Sequence, residues 1–145
     1  MEIGNFKKSS DAIEAGEWVE DIPQMGDLRL RVKGLNSAYF KAIFARKQRA
    51  VPKDQRERDG EIKEAVLHQI RGEALYESIL LDWDGLTSDG QPFPFDKETA
   101  RKWLTDPDYA DFHFATLYAA GVVGKEKTEA KDGLEKNSGT RSPGK

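Results

Sequence analysis

Between residues 62 and 80, apolar side chains recur every three or four positions: Ile62, Ala65, Val66, Ile70, Ala74, Leu75, Ile79 and Leu80, with Gln69 on the same line. Glu61, Lys63, Glu64, Arg71, Glu73 and Glu77 fall elsewhere. This period predicts a long amphipathic helix that ends near Trp83. It constrains the fold more than any other feature, because the stripe has to be buried against other elements. Gly72 interrupts it. Glycine costs a helix about 1 kcal/mol relative to alanine, so its presence points to a close backbone approach or a bend.

The segments on either side supply the cover. Leu28, Leu30 and Val32 alternate with Arg29, Arg31 and Lys33. That period of two puts three apolar side chains on one face of a strand and three cations on the other. Gln24-Met25-Gly26-Asp27 provides turn chemistry, and Trp18, Val19 and Ile22 fit a partner strand. A hairpin over residues 17–33 is the simplest reading, and a lone hairpin must pack on helices to be stable. Asn36 or Ser37 caps a helix carrying Ala38, Tyr39, Ala42, Ile43 and Ala50 on one face, with Phe40 and Phe44 alongside. Arg46, Lys47 and Arg49 complement its C-terminal dipole, and Pro52 closes it. Residues 54–60 read as a charged linker or frayed turn. Residues 84–95 form a turn-rich loop that Phe93 and Phe95 tuck onto the core. Asp96 caps a short helix over 97–104. Asp106-Pro107 opens the last helix, which runs to about Ala120. There Phe112, Ala115, Thr116 and Ala119 make one stripe, widened by Phe114, Leu117 and Tyr118.

The expected class is therefore mainly α: one small helical domain, residues 17–123, with a short N-terminal β-hairpin packed on it. A flexible polar arm (1–16) precedes it and a disordered polar tail (124–145) follows, since the tail has too little apolar material to offset the entropy of ordering. Charged residues reach 34% against 37% hydrophobic, an excess that belongs on exposed helix faces and in the ends. A net charge of -3 argues against a dedicated nucleic-acid binder, which needs a concentrated basic surface. With no cysteine, disulfides and cysteine-ligated metal sites are out of reach. Residues 1–10 do not resemble a signal peptide, and no apolar run approaches the roughly 18 residues that span a bilayer.

Three constellations could carry chemistry. Asp82, Asp84 and Asp89 are an oxygen-rich loop of the kind that holds calcium or serves a metal-dependent enzyme. Their spacing does not match the EF-hand, whose fifth position would here be Leu86. The plainer expectation is that they solvate a turn and cap helices. His68 and His113 are the only histidines, each expected at a helix surface or in a single hydrogen bond. The cations Arg29, Arg31 and Lys33 read as a charged strand edge that deters aggregation. Arg46, Lys47, Arg49, Lys53, Arg56 and Arg58 form a second cluster, partly neutralised by Glu57, Asp59, Glu61 and Glu64. No nucleophile signature, phosphate-cradling loop or dinucleotide fingerprint occurs. The chain reads as a non-enzymatic binding protein with no cofactor and no metal.

The segments Ile79-Leu80-Leu81-Asp82-Trp83-Asp84-Gly85-Leu86 and Asp89-Gly90-Gln91-Pro92-Phe93-Pro94-Phe95-Asp96, followed by Ala100, Trp103-Leu104 and Asp106-Pro107, resemble tail assembly chaperones of long-tailed bacteriophages. The resemblance covers about residues 17–123. It implies a small, mostly helical protein of the bacterial host cytoplasm, absent from the mature virion. Such a protein binds the tape-measure protein, helps recruit tail-tube subunits and often self-associates. No membrane role is implied. The expected partner surface is the face shared by helix 36–49 and helix 112–118, carrying Tyr39, Phe40, Ile43, Phe44, Phe112, Phe114 and Tyr118. The alternatives are a structural minor tail protein of the particle, a metal-dependent enzyme using Asp82 to Asp89, and a nucleic-acid adaptor using the Arg46–Arg58 cations.

Overall fold

A computed structural model describes residues 10–124. Helix α1 (Ser10–Ala15) leads into strands β1 (Glu17–Val19) and β2 (Arg29–Val32). Helices α2 (Ala38–Arg49) and α3 (Glu64–Ser78) follow, then strand β3 (Leu80–Asp84). A small hairpin of β4 (Thr87–Ser88) and β5 (Gln91–Pro92) leads to α4 (Lys97–Thr105) and α5 (Ala110–Val122). Helix dominates, as the periodicity predicts.

The expected hairpin forms, with Val19 opposite Leu30, and Leu28, Leu30 and Val32 are buried. It supplies two strands of a three-stranded antiparallel sheet ordered β1-β2-β3. This corrects two expectations. The helix from residue 64 stops at Ser78 rather than near Trp83, and the cationic strand is central, not an edge. Long-range pairing overrides local pattern here. The carbonyl of Ile79 accepts the Lys33 N–H at 3.0 Å, and Leu80 lies opposite Val32. The apolar run after Ser78 thus completes the sheet rather than adding a turn of helix.

The stripe predicted on α3 also shifts. Ala65 and Gln69 are exposed, whereas His68, Gly72, Ala74, Leu75 and Ser78 are buried. Small residues are inside because α4 approaches closely. A Cβ on Gly72 would sit 2.0 Å from the carbonyl oxygen of Leu104.

Local signals fare well at helix starts. The Ser37 hydroxyl accepts from the Phe40 N–H, and Asp96 accepts from the Thr99 N–H at 2.9 Å. Asp106 precedes a single 3₁₀ turn, Pro107–Tyr109, that leads into α5. Asp89 and Gly90 both take positive φ, 52° and 78°, the geometry of a tight hairpin turn, so part of the expected loop is a hairpin. Residues 10–16 of the expected flexible arm are docked. Ile13 is buried, and Glu14 accepts from the Ser37 hydroxyl and the Ala38 N–H at 3.3 and 3.2 Å. The expected polar tail, from residue 125 on, and residues 1–9 lie outside the described residues.

One core holds the layers together, and aromatic side chains join its two halves. Trp83 on β3 meets Phe95 at 4.8 Å, Trp103 on α4 at 5.2 Å and Phe112 on α5 at 5.7 Å between centroids. Its indole N–H donates to the Phe93 carbonyl at 2.9 Å. The aromatic residues of the segment that carries the family resemblance are therefore architectural.

Candidate partner-binding clefts

Two open clefts flank the β1–β2 turn. The smaller, about 180 Å³, runs between that turn (Ile22, Pro23, Gln24 and Met25) and one side of α5 (Asp111, Phe114, Ala115 and Tyr118). Ile22 and Ala115 form its buried floor, while Phe114 and Tyr118 remain 51% and 44% exposed at its mouth. The spacing 111, 114, 115, 118 places these residues along one ridge of a helix. The larger cleft, about 460 Å³, lies between Asp27, the end of β3 and residues 85–95. Trp83, Leu86, Phe93 and Phe95 line it, with Asp82 and Asp84 also contributing.

The seven residues expected to form one partner face are not brought together. Phe40, Ile43 and Phe112 are core residues, and Phe44 is half-buried with its ring stacked on Phe40 at 5.7 Å. Tyr39 is 56% exposed but lines neither cleft. Helix α2 packs chiefly on α3, and α5 on α4, and the seven side chains do not share one exposed face. Phe114 and Tyr118 are the two that reach a cleft. The opposite wall, residues 22–25, went unanticipated because only the tertiary fold places that turn beside α5.

The histidines are not surface groups. His113 is fully buried and His68 nearly so, and their rings stack at 3.9 Å. Arg71 donates from Nε to His113 Nε2 at 2.9 Å. His113 must therefore carry its proton on Nδ1, which lies 2.7 Å from the Leu104 carbonyl and donates to it. That bond satisfies a carbonyl at the end of α4. Burial pushes His113 down to about 4, with the nearby His68 and the Arg71 cation acting in the same direction against the Leu104 hydrogen bond. Burial, then Arg71, also lowers His68. Both rings are neutral near pH 7. His68 Nε2 is buried without a hydrogen-bond partner.

Several residues of the remaining constellations make structural contacts. Arg29 binds Asp84 at 2.7 Å, and its hydrogen bond holds that carboxyl below the usual range. Asp82 accepts from the Trp83 N–H at 2.8 Å, and Asp89 sits in the hairpin turn. Among the described residues, no three His, Asp or Glu side chains converge as a metal site requires. Within the basic cluster, Arg56 donates to the carbonyls of Gln48, Val51 and Gly60 at 2.6, 3.2 and 2.9 Å. Lys47 pairs with Glu73 and Glu77, and its hydrogen bond to Glu77 raises its pKa. Residues 54–60 are thereby a braced loop rather than a loose linker. Among the described residues, no helix is long and apolar enough to cross a membrane.

Compared with known proteins, residues 35–137 match the family model of the YdaY prophage protein. The match takes in α2 through α5 and covers more than half of the chain. No curated protein and no solved structure matches.

Proposed function

We propose that this chain, which belongs to the YdaY prophage protein family, is a tail assembly chaperone. It keeps the tape-measure protein soluble and helps bring tail-tube subunits to it in the host cytoplasm, and it is left out of the finished particle. The observation that carries the reading is apolar surface left open beside α5, where Phe114 and Tyr118 stand 51% and 44% exposed at the mouth of a cleft. Exposed aromatics at a cleft are the usual anchors of a protein partner. The likeness of residues 79–107 to phage tail chaperones directs that binding toward tail assembly. A client that must later be released suits modest contacts spread over shallow clefts, because affinity follows anchor quality rather than area.

The test is co-expression of the full chain with a fragment of a phage tape-measure protein. The expected result is a soluble tape-measure fragment that co-purifies with the chain. A fragment that stays insoluble with and without the chain refutes the reading.

A further inference from the structure

We infer that the cleft between the β1–β2 turn and α5 is a docking site for a helical segment that offers a large aliphatic side chain next to a lysine or arginine. The inference rests on the reading of this chain as a binding protein and names the chemistry of the segment it takes.

Volume decides what kind of ligand fits. At about 180 Å³ the cleft lies below the roughly 300–1,000 Å³ typical of small-molecule sites. It has room for an anchor side chain from a larger partner. The floor of Ile22 and Ala115 is apolar and buried, and Phe114 and Tyr118 flank it, so the anchor is aliphatic.

Geometry decides how the segment presents that anchor. Strand addition needs free backbone donors and acceptors along an edge. The wall of this cleft offers few: the Met25 N–H is bonded to the Ile22 carbonyl at 3.1 Å, and the Met25 carbonyl accepts from Leu28 at 3.0 Å. The lining of α5 is instead a helical ridge, and a second helix laid along a ridge meets it with side chains three and four apart. The wall is also preshaped. Asp21, Gln24 and Gly26 hold left-handed backbone at φ 57°, 65° and 54°, which for the two non-glycine residues persists only where surrounding contacts fix it.

Charge decides the residue beside the anchor. Asp111 lines the cleft, is exposed, and takes part in none of the ion pairs found among the described residues. Asp21 and Asp27, also exposed, bracket the turn in sequence. Two other cations already have hydrogen-bond partners, although the neutral His113 leaves the charge of Arg71 in place. Arg29 is held by Asp84. Arg71 gives its Nε–H to His113 and lies 5.7 Å from the Phe114 ring. A lysine or arginine on the incoming segment would meet an acid without a partner, and an acidic segment would be repelled.

The test uses the full chain and two labelled helical peptides of about 20 residues, long enough to be substantially helical. Both carry leucines at positions i, i+4 and i+7. One has lysines beside the leucines and the other glutamates. Fluorescence anisotropy should show the lysine peptide binding at least about tenfold more tightly, a difference near 1.4 kcal/mol. Asp111→Lys should reverse the preference, and Tyr118→Ala should weaken both. Because Asp111 and Tyr118 are exposed, these variants should fold, and a thermal melt checks that they do. No binding, equal binding of both peptides, or a preference unchanged in Asp111→Lys overturns the inference. The chaperone reading is judged separately. If wild type and Asp111→Lys solubilise the tape-measure fragment equally well, that reading stands and this cleft is not its site.

Discussion

Gly72→Ala should destabilise the domain severely, although alanine is the better helix former. The intrinsic gain in α3 is about 1 kcal/mol. Against it, the new methyl would lie 2.0 Å from the Leu104 carbonyl oxygen, whereas a tolerable carbon–oxygen contact is about 3.3 Å. The C-terminal turn of α4 would have to retreat by about 1.3 Å. Backbone, unlike a long side chain, cannot swing aside, and overpacking of this kind costs about 1–3 kcal/mol. The same carbonyl accepts the Nδ1–H of His113 at 2.7 Å, so the retreat also strains a buried hydrogen bond, worth about 1–3 kcal/mol when a partner is left unsatisfied. The balance is a net loss of about 3 kcal/mol, a large share of the stability of a small domain. Urea unfolding followed by tryptophan fluorescence reads it directly. Gly72→Ala as stable as wild type, or more so, would refute the claim that this glycine exists for the approach of α4.

Two further outcomes follow from the same packing. Stability should fall as pH drops from about 6.5 toward 4. His113 stays neutral when folded, titrating at about 4, but takes up a proton at 6.5 when unfolded. The unfolded chain therefore binds more protons across that window, and the loss approaches about 3 kcal/mol at its acid end. His113→Asn should flatten the slope in pH-dependent melts, and an unchanged slope would place the titration elsewhere. Arg56→Lys keeps the charge but loses the fork that reaches three carbonyls. It should cost about 2 kcal/mol in chemical denaturation, and full stability would mean that the side chain acts only as a surface charge.

What the sequence reveals is local. Ser37, Asp96 and Asp106-Pro107 announce helix starts because a cap is satisfied within a few residues of itself. The alternation of Leu28, Leu30 and Val32 announces a half-buried strand for the same reason. Strand β3 is hidden because Leu80 and Leu81 extend a helical period as readily as a strand, and only the Lys33 N–H and the β2 backbone, about fifty residues away, decide between them. The Asp89-Gly90 turn is visible as a dipeptide, but the flanking Thr87-Ser88 and Gln91-Pro92 lack the apolar alternation that marks a hairpin. The burial of His113 is hidden in the sequence because its partners, Leu104 on a different helix and Arg71 forty-two positions away, are set by tertiary packing. Of the two smaller-cleft walls, α5 is legible as an aromatic-rich helix, while the turn opposite has no local signal that it faces α5.

Helix α5 shows why stability alone does not account for that cleft. Its polar His113 and Thr116 are fully buried, while Phe114 and Tyr118 stand half in water. The inner polar groups are satisfied: His113 by Arg71 and Leu104, and Thr116 by donating to the Phe112 carbonyl at 3.0 Å. They lose little by being inside. The outer aromatics gain only part of what full burial would give, since about half of each side chain stays in water. A helix shaped only for folding would carry its rings inward and its hydroxyl and imidazole outward. The inversion leaves about half of two aromatic rings beside an unpaired aspartate. Their exposed apolar area can still be withdrawn from water by a partner laid over it.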